Sequence, residues 1–292
     1  MIKKILFASV IFVILYVGVI WLQIFFTKST PKTASGKRTQ REETTHKVYS
    51  FSFAKYTPSG AKEIEIEGDS ANILTRTVQL MNVVAKAYAE ETPVTITADQ
   101  GNYDKVTNKV RLRKNVVATT ENGTRLLTEE LQIHPAKHVM ETDVEAEVKK
   151  DNIHVAGLGA RGDSNLKKLK FKKNVTVIIQ DPADQFSGPT KITCDGPLVI
   201  DYEKNIAHFK KNVVAEDRRG KLSADTMDVY YNRISRKVAK IVALGNVVIE
   251  NPDSNKTYSD SVIYLAEEGK IILGGDTEAL YFEGDEGQES LL

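Results

Sequence analysis

Five histidines, one cysteine and a set of recurring aspartates are the residues of this 292-residue chain whose types could carry chemistry. The histidines are His46, His134, His138, His154 and His208, and none falls in the spacings that metal sites use. His134 and His138 are four apart and would share a face on a helix, but Pro135 and the surrounding strand pattern place them at a turn. Cys194 has no second cysteine to pair with, and it occupies a position taken elsewhere by Ala98 and Ala224. It therefore reads as a small interior residue rather than a reactive thiol. The chain contains no Gly-x-x-x-x-Gly-Lys-Ser/Thr loop, so it should not hydrolyse ATP. The expectation is a protein that is not an enzyme, with no catalytic residues, no metal and no cofactor.

The aspartates Asp99, Asp195, Asp225 and Asp260 could, taken singly, be acid/base groups or calcium ligands. Their place at the same point of a repeat argues for a local job instead, such as bonding a backbone N–H at a bend. A small residue followed by Asp recurs at Ala98-Asp99, Cys194-Asp195 and Ala224-Asp225, each preceded two residues earlier by Ile96, Ile192 or Leu222. Looser copies centre on Asp69, Glu129 and Asp260. A second phrase follows most copies: Arg113-Lys114-Asn115-Val116-Val117, Lys172-Lys173-Asn174-Val175, Lys210-Lys211-Asn212-Val213-Val214 and Leu244-Gly245-Asn246-Val247-Val248.

The elements that must position these residues are strands. Short alternating runs rich in Val, Ile, Thr, Tyr and Phe are broken by Asn, Asp and Gly, and no long stretch beyond residue 47 holds a helical period. Asn122-Gly123 predicts a two-residue hairpin. Each repeat reads as strand, turn, strand, turn, strand, with one apolar face that only a stacked neighbour can bury. The predicted fold is all-β, an elongated antiparallel sheet folded over on itself, with open strand edges at its ends. Prolines and a glycine at Asp181–Pro189 predict a break between a first domain, 48–181, and a second, 186–282. Residues 283–292 form an acidic tail.

Charge is nearly balanced, 40 basic against 39 acidic residues, which argues against nucleic acid as a partner. The N-terminus differs from the rest. After a stub, residues 1–4, the 22 residues Ile5–Phe26 carry no charge. At ~1.5 Å per residue they span ~33 Å, enough for a ~30 Å hydrocarbon core. Lys3 and Lys4 precede the run and Trp21 lies near its far end. A cleaved signal peptide would have a shorter apolar run, and the only small-residue site, Ala34-Ser35-Gly36, lies well past it, so the run reads as an uncleaved anchor. Lys28, Lys32, Lys37, Arg38 and Arg41 follow the anchor, and the positive-inside count alone would leave the large domain in the cytoplasm. Residues 27–47, polar and charged, read as a tether.

The order of stub, anchor and β-repeat resembles the LptC family of lipopolysaccharide export proteins. The second half, with Ile192-Thr193-Cys194-Asp195, Tyr202, Phe209-Lys210-Lys211-Asn212-Val213-Val214 and Leu222-Ser223-Ala224-Asp225, resembles the OstA/LptA-like domain of the periplasmic bridge. The resemblance implies a β-jellyroll or "β-taco" that cradles the acyl chains of lipid A. It also implies a single-pass inner-membrane protein of a Gram-negative-type bacterium with its domains in the periplasm, against the charge count. The partners implied are an inner-membrane Lpt ABC transporter at the N-terminal edge, and an LptA-like or LptD-like jellyroll at the C-terminal edge. The chain departs from the family in having two β-repeat domains where one is usual.

Alternation assigns an inward apolar set as the candidate lipid-binding groove. It comprises Ile96, Tyr103, Val110, Leu112, Val116, Leu127, Leu131, Leu169, Phe171, Val175 and Val177 in the first half, and Ile192, Phe209, Val213, Leu222, Met227 and Val229 in the second. The alternatives are a plain dry core and a membrane-tethered scaffold without lipid cargo. In the run Lys167–Lys173, Leu169 and Phe171 should face inward. Lys168, Lys170 and Lys172 should then face water, either as a solvated face or as a rim that meets lipid A phosphates.

Overall fold

The computed structural model describes residues 46–280, apart from 57–59, 61, 88–93, 108, 135, 136, 138, 164, 181–187 and 236. The anchor Ile5–Phe26, most of the tether, His138 and the acidic tail lie outside these residues. Among the described residues no helix is long and apolar enough to cross a membrane. All described regular structure is strand, seventeen in number, and every pairing given below is antiparallel. The predicted all-β, jellyroll-like fold is what the chain adopts.

The chain divides into two compact units. The first holds β1 (His46–Tyr56), β2 (Lys62–Ile73), β3 (Thr77–Ala87), β4 (Val94–Asp104), β5 (Lys109–Thr120) and β6 (Arg125–His134), paired in chain order as a meander. β1 begins at His46, two residues inside the stretch read as tether. The second holds β8 (Ile153–Asp163), β9 (Lys168–Ile179), β10 (Thr190–Cys194), β11 (Leu198–Asp201) and β12 (Ile206–Asp217), followed by β13 (Gly220–Tyr231), β14 (Val238–Glu250), β15 (Lys256–Leu265), β16 (Lys270–Gly274) and β17 (Glu278–Leu280). The units meet in sequence inside β7 (Val139–Lys150), after Thr142, and not at 181–189. β9, upstream of that stretch, pairs with both β10 and β11 downstream of it.

The second phrase of the repeat is a corner. In Lys114-Asn115, Lys211-Asn212 and Gly245-Asn246 both residues have positive φ, between +47° and +78°. That region suits Gly and Asn and disfavours most side chains. The register slips at each of these dipeptides, so the strand carries a β-bulge and bends there. The following valine turns into the core: Val116, Val213 and Val247 are all buried.

The aspartate of the first phrase pins that corner. Asn82 Nδ2 donates to Asp69 at 2.5 Å, Asn115 to Asp99 at 2.8 Å, Asn212 to Asp195 at 2.6 Å and Asn246 to Asp225 at 2.8 Å. The job is local, as expected, but the donor is an asparagine side chain on the next strand rather than a backbone N–H. Asp260 does accept a backbone N–H, from Asp276 at 3.1 Å. Asp195→Ala and Asn212→Ala should each lower stability by about 1 kcal/mol. A double-mutant cycle by chemical denaturation should return a coupling of at least ~0.5 kcal/mol. Additive effects would mean that the corner is set by backbone conformation alone.

The hairpin at Asn122-Gly123 is present with a longer loop than two residues. Thr120 N–H donates to the Thr124 carbonyl at 2.9 Å, leaving Glu121-Asn122-Gly123 as the loop, with Gly123 at φ +83°. The two threonines decide this length. Thr124 N–H donates to Thr120 Oγ1 at 3.0 Å, and both hydroxyls donate to Asn122 Oδ1.

In the first unit the core cluster is Ala71, Val78 and Tyr103, with Phe51, Ile73, Leu80 and Val110 packed against it. In the second unit the largest fully buried side chains include Phe171, Leu169, Ile192, Leu198, Phe209 and Met227.

Candidate functional site

The second unit is built from long strands that cross two half-sheets. In β9, Leu169 and Phe171 pair opposite Ile200 and Leu198 of β11, whereas Val175 and Val177 pair opposite Cys194 and Ile192 of β10. The corner falls between, at Lys173 and Asn174, where Asn174 has φ +51°. β12 repeats the arrangement, with Phe209 opposite Leu198 of β11 and Ala215 opposite Ile192 of β10. Inward side chains of the two half-sheets thus face one another across an apolar interior.

The far ends of these strands come together. Ile153 pairs with Ile179 at one end of β9, and Asp201 pairs with Lys168 at the other. Yet Lys150, just before the turn to Ile153, holds its ammonium 4.2 Å from the ring of Tyr202, just after Asp201. Arg219 spans the same rim further along: its Nη1 donates to Tyr264 Oη at 3.2 Å, and Asp217 orients its guanidinium. The rim is therefore closed by cation–aromatic contacts.

Behind this rim lies a cavity of about 40 Å³. Its lining is Ile153, Val155, Val177, Ile179, Ile192, Leu198, Ile200, Tyr202, Ala207, Phe209, Val229, Tyr231 and Val238. A cavity needs about 10–15 Å³ to admit one water, so this one takes a few at most, and an acyl chain fits only if the half-sheets part. Burial pushes the Tyr231 phenol up to about 12, and pushes Tyr202 higher still, so both stay neutral hydrogen-bond donors at any physiological pH.

Of the predicted inward set, Tyr103, Leu112, Val116, Leu131, Leu169, Phe171, Val175, Val177, Ile192, Phe209, Val213, Met227 and Val229 are buried. Ile96, Val110 and Leu222 are half-buried. Leu127 is a correction: it is half-buried, and Leu126 takes the interior place together with Thr128. The slip between Arg113 and Val116 offsets the facing strand by one residue, so alternation carried through it assigns the wrong face. Val177, Ile192, Phe209 and Val229 line the cavity, whereas the first-half residues from Ile96 to Leu131 belong to the other unit. Sequence reasoning missed Ile153, Val155, Ile179, Leu198, Ile200, Tyr202, Ala207, Tyr231 and Val238. The alternation of Leu198, Ile200 and Tyr202 carried the signal, but β11 is only four residues long. The glycines Gly157 and Gly159 obscured β8.

The other candidates resolve into structure. Burial raises the pKa of the Cys194 thiol, as suits an inert interior residue. His134, His154 and His208 each pair with a carboxylate, of Glu141, Glu147 and Asp228, at 2.8, 3.2 and 2.7 Å. Lys168, Lys170 and Lys172 are exposed while Leu169 and Phe171 are buried. Lys167, Lys168 and Lys172 reach Glu203, Asp201 and Asp143, as on a solvated face.

An antiparallel sheet of long, cornered strands around an apolar interior defines an all-β protein of the jellyroll type. A family model described as lipopolysaccharide-assembly, LptC-related, matches residues 12–180, more than half of the chain. The chain belongs to the LptC family of lipopolysaccharide export proteins. No curated protein matches it. Membership gives it a role in lipopolysaccharide transport, Lpt-system components as partners, and a place in the envelope of Gram-negative bacteria. The family consists of transport and scaffold proteins rather than enzymes.

Proposed function

We propose that the chain binds lipopolysaccharide without chemical change and passes it from an inner-membrane ABC transporter toward the periplasmic bridge. Ile5–Phe26 is the single membrane span, and both units stand in the periplasm. The segment from β10 onward, beyond the matched residues, serves as an OstA/LptA-like extension that continues the path. The observation that carries this reading is the apolar interior of the second unit, shared by β9 of the matched stretch and by β10 to β13 beyond it. Each acyl CH₂ buried there contributes about 0.8 kcal/mol.

Two strand edges support partners of the kind proposed. β1 pairs with β2, and Val48, Tyr49 and Tyr56 are exposed along it. β16 and β17 pair with β15 and expose Ile271, Ile272, Leu273 and Leu280. Such edges accept a strand from a partner, the transporter at the first and a further jellyroll at the second.

A photoreactive residue at Leu112, Phe171 or Phe209 should crosslink lipopolysaccharide in cells, with a yield that depends on ATP hydrolysis by the transporter. Lys170 and Lys210, exposed neighbours on the outer face, should give none. Equal yields on both faces would remove the lipid reading. The small cavity volume favours a second reading, a tethered scaffold that carries no lipid, and mass spectrometry of the purified protein free of copurified lipid would establish it.

A further inference from the structure

Three buried polar side-chain atoms among the described residues have no hydrogen-bond partner: Tyr202 Oη, Tyr231 Oη and Asn152 Oδ1. They are not scattered. Tyr202 and Tyr231 both line the cavity of the second unit, and Asn152 immediately precedes Ile153, which lines it too. Both tyrosines stand in phase with inward residues of their strands, Tyr202 after Leu198 and Ile200, Tyr231 after Met227 and Val229. Tyr231 N–H donates to the Asn205 carbonyl at 3.1 Å, in the turn that Tyr202 opens, so the two tyrosines are neighbours. The rest of the lining is aliphatic apart from Phe209, and it offers no side-chain acceptor.

A buried hydroxyl without a partner is destabilising, and phenylalanine would fill the same space without that cost. Two such hydroxyls at one cavity, behind one rim, look out of place in a plain core. They suit an occupant that brings its own acceptor. We propose that Tyr202 and Tyr231 form a two-donor site for the carbonyl oxygen of a fatty acyl ester or amide. The chain's methylenes lie against Val177, Ile192 and Val229 when the half-sheets part. The rim contact between Lys150 and Tyr202 opens to admit it, which couples loading to a tyrosine that also receives the carbonyl. This site deepens the lipid reading and rests on it, since a scaffold without cargo would have no use for it.

The test uses the full chain held in amphipol and immobilised, with two radiolabelled probes of equal heavy-atom count, methyl laurate and pentadecane. The wild-type protein should retain the ester in preference to the alkane. The variants Y202F and Y231F should each cut the ester-to-alkane ratio by about tenfold, with alkane retention unchanged. The same variants should raise the thermal midpoint by about 2–4 °C, because the ligand-free protein is relieved of an unpaired hydroxyl. An unchanged ratio overturns the site while leaving an apolar trough. A lowered midpoint also overturns it, because the hydroxyls would then already be satisfied within the fold. Retention of neither probe overturns the lipid reading itself.

Discussion

Phe171→Asp should unfold the second unit. The ring is 0 % exposed, with Ala160 of β8 and Leu198 of β11 as its cross-strand neighbours. Gly157 leaves room for it: a Cβ at that glycine would stand 3.0 Å from the ring. An unpaired carboxylate there costs at least several kcal/mol, whether it stays charged or takes up a proton. A unit of this size has about 5–15 kcal/mol in hand, and the loss of the ring's packing adds about 3–5 kcal/mol. The variant should lose its β-signal by circular dichroism and become sensitive to protease. Phe171→Leu keeps an apolar side chain of similar reach and should cost about 1 kcal/mol, with the fold retained. A folded, stable Asp variant would mean that water already reaches the interior. Because unfolding alone abolishes transport, the crosslinking yield of folded variants is the functional readout.

Gly196→Ala should be nearly as damaging, for a backbone reason. Gly196 lies between β10 and β11, where the chain passes from one half-sheet to the other against the corner of β9. Its φ is +96°, and an added Cβ would stand 2.5 Å from the Lys172 carbonyl oxygen and 3.0 Å from Lys173 Cα. The clash is with backbone, so no side-chain rotation relieves it. Backbone strain of about 1–3 kcal/mol adds to the displacement of β9, giving a loss of about 3 kcal/mol or more. Chemical denaturation should show the midpoint falling with its slope unchanged. Gly123→Ala is the control: its φ is also positive, but nothing lies within 4 Å of the added Cβ, so only the conformational cost remains. Equal losses at the two positions would mean that the close approach of β10–β11 to β9 contributes nothing.

The repeat phrases were legible because each acts through its own residues. In each phrase the Asn (Asn115, Asn174, Asn212, Asn246) adopts positive φ and the next valine is buried. Asp99, Asp195 and Asp225 were recognisable as structural from their recurrence alone. Their partners were not, since Asn115, Asn212 and Asn246 are 16, 17 and 21 residues away and are brought near only by pairing. Leu127 was misassigned because alternation is a local rule, whereas a bulge in one strand shifts its neighbour's register.

By itself the sequence determined the strand class, the positions of the repeat phrases, the apolar character of the interior and the family. Those properties follow from side-chain type and short-range backbone preference, which need no partner strand. The tertiary structure alone decided that the units divide inside β7, and that β9 joins β10 and β11 across the proline-bearing stretch. It also decided that Lys150 meets Tyr202 and that two tyrosine hydroxyls lie unpaired behind that contact. Those depend on how sharply each corner bends, and so on which strand ends meet. A bend angle accumulates over every strand in the stack and is written in no single segment.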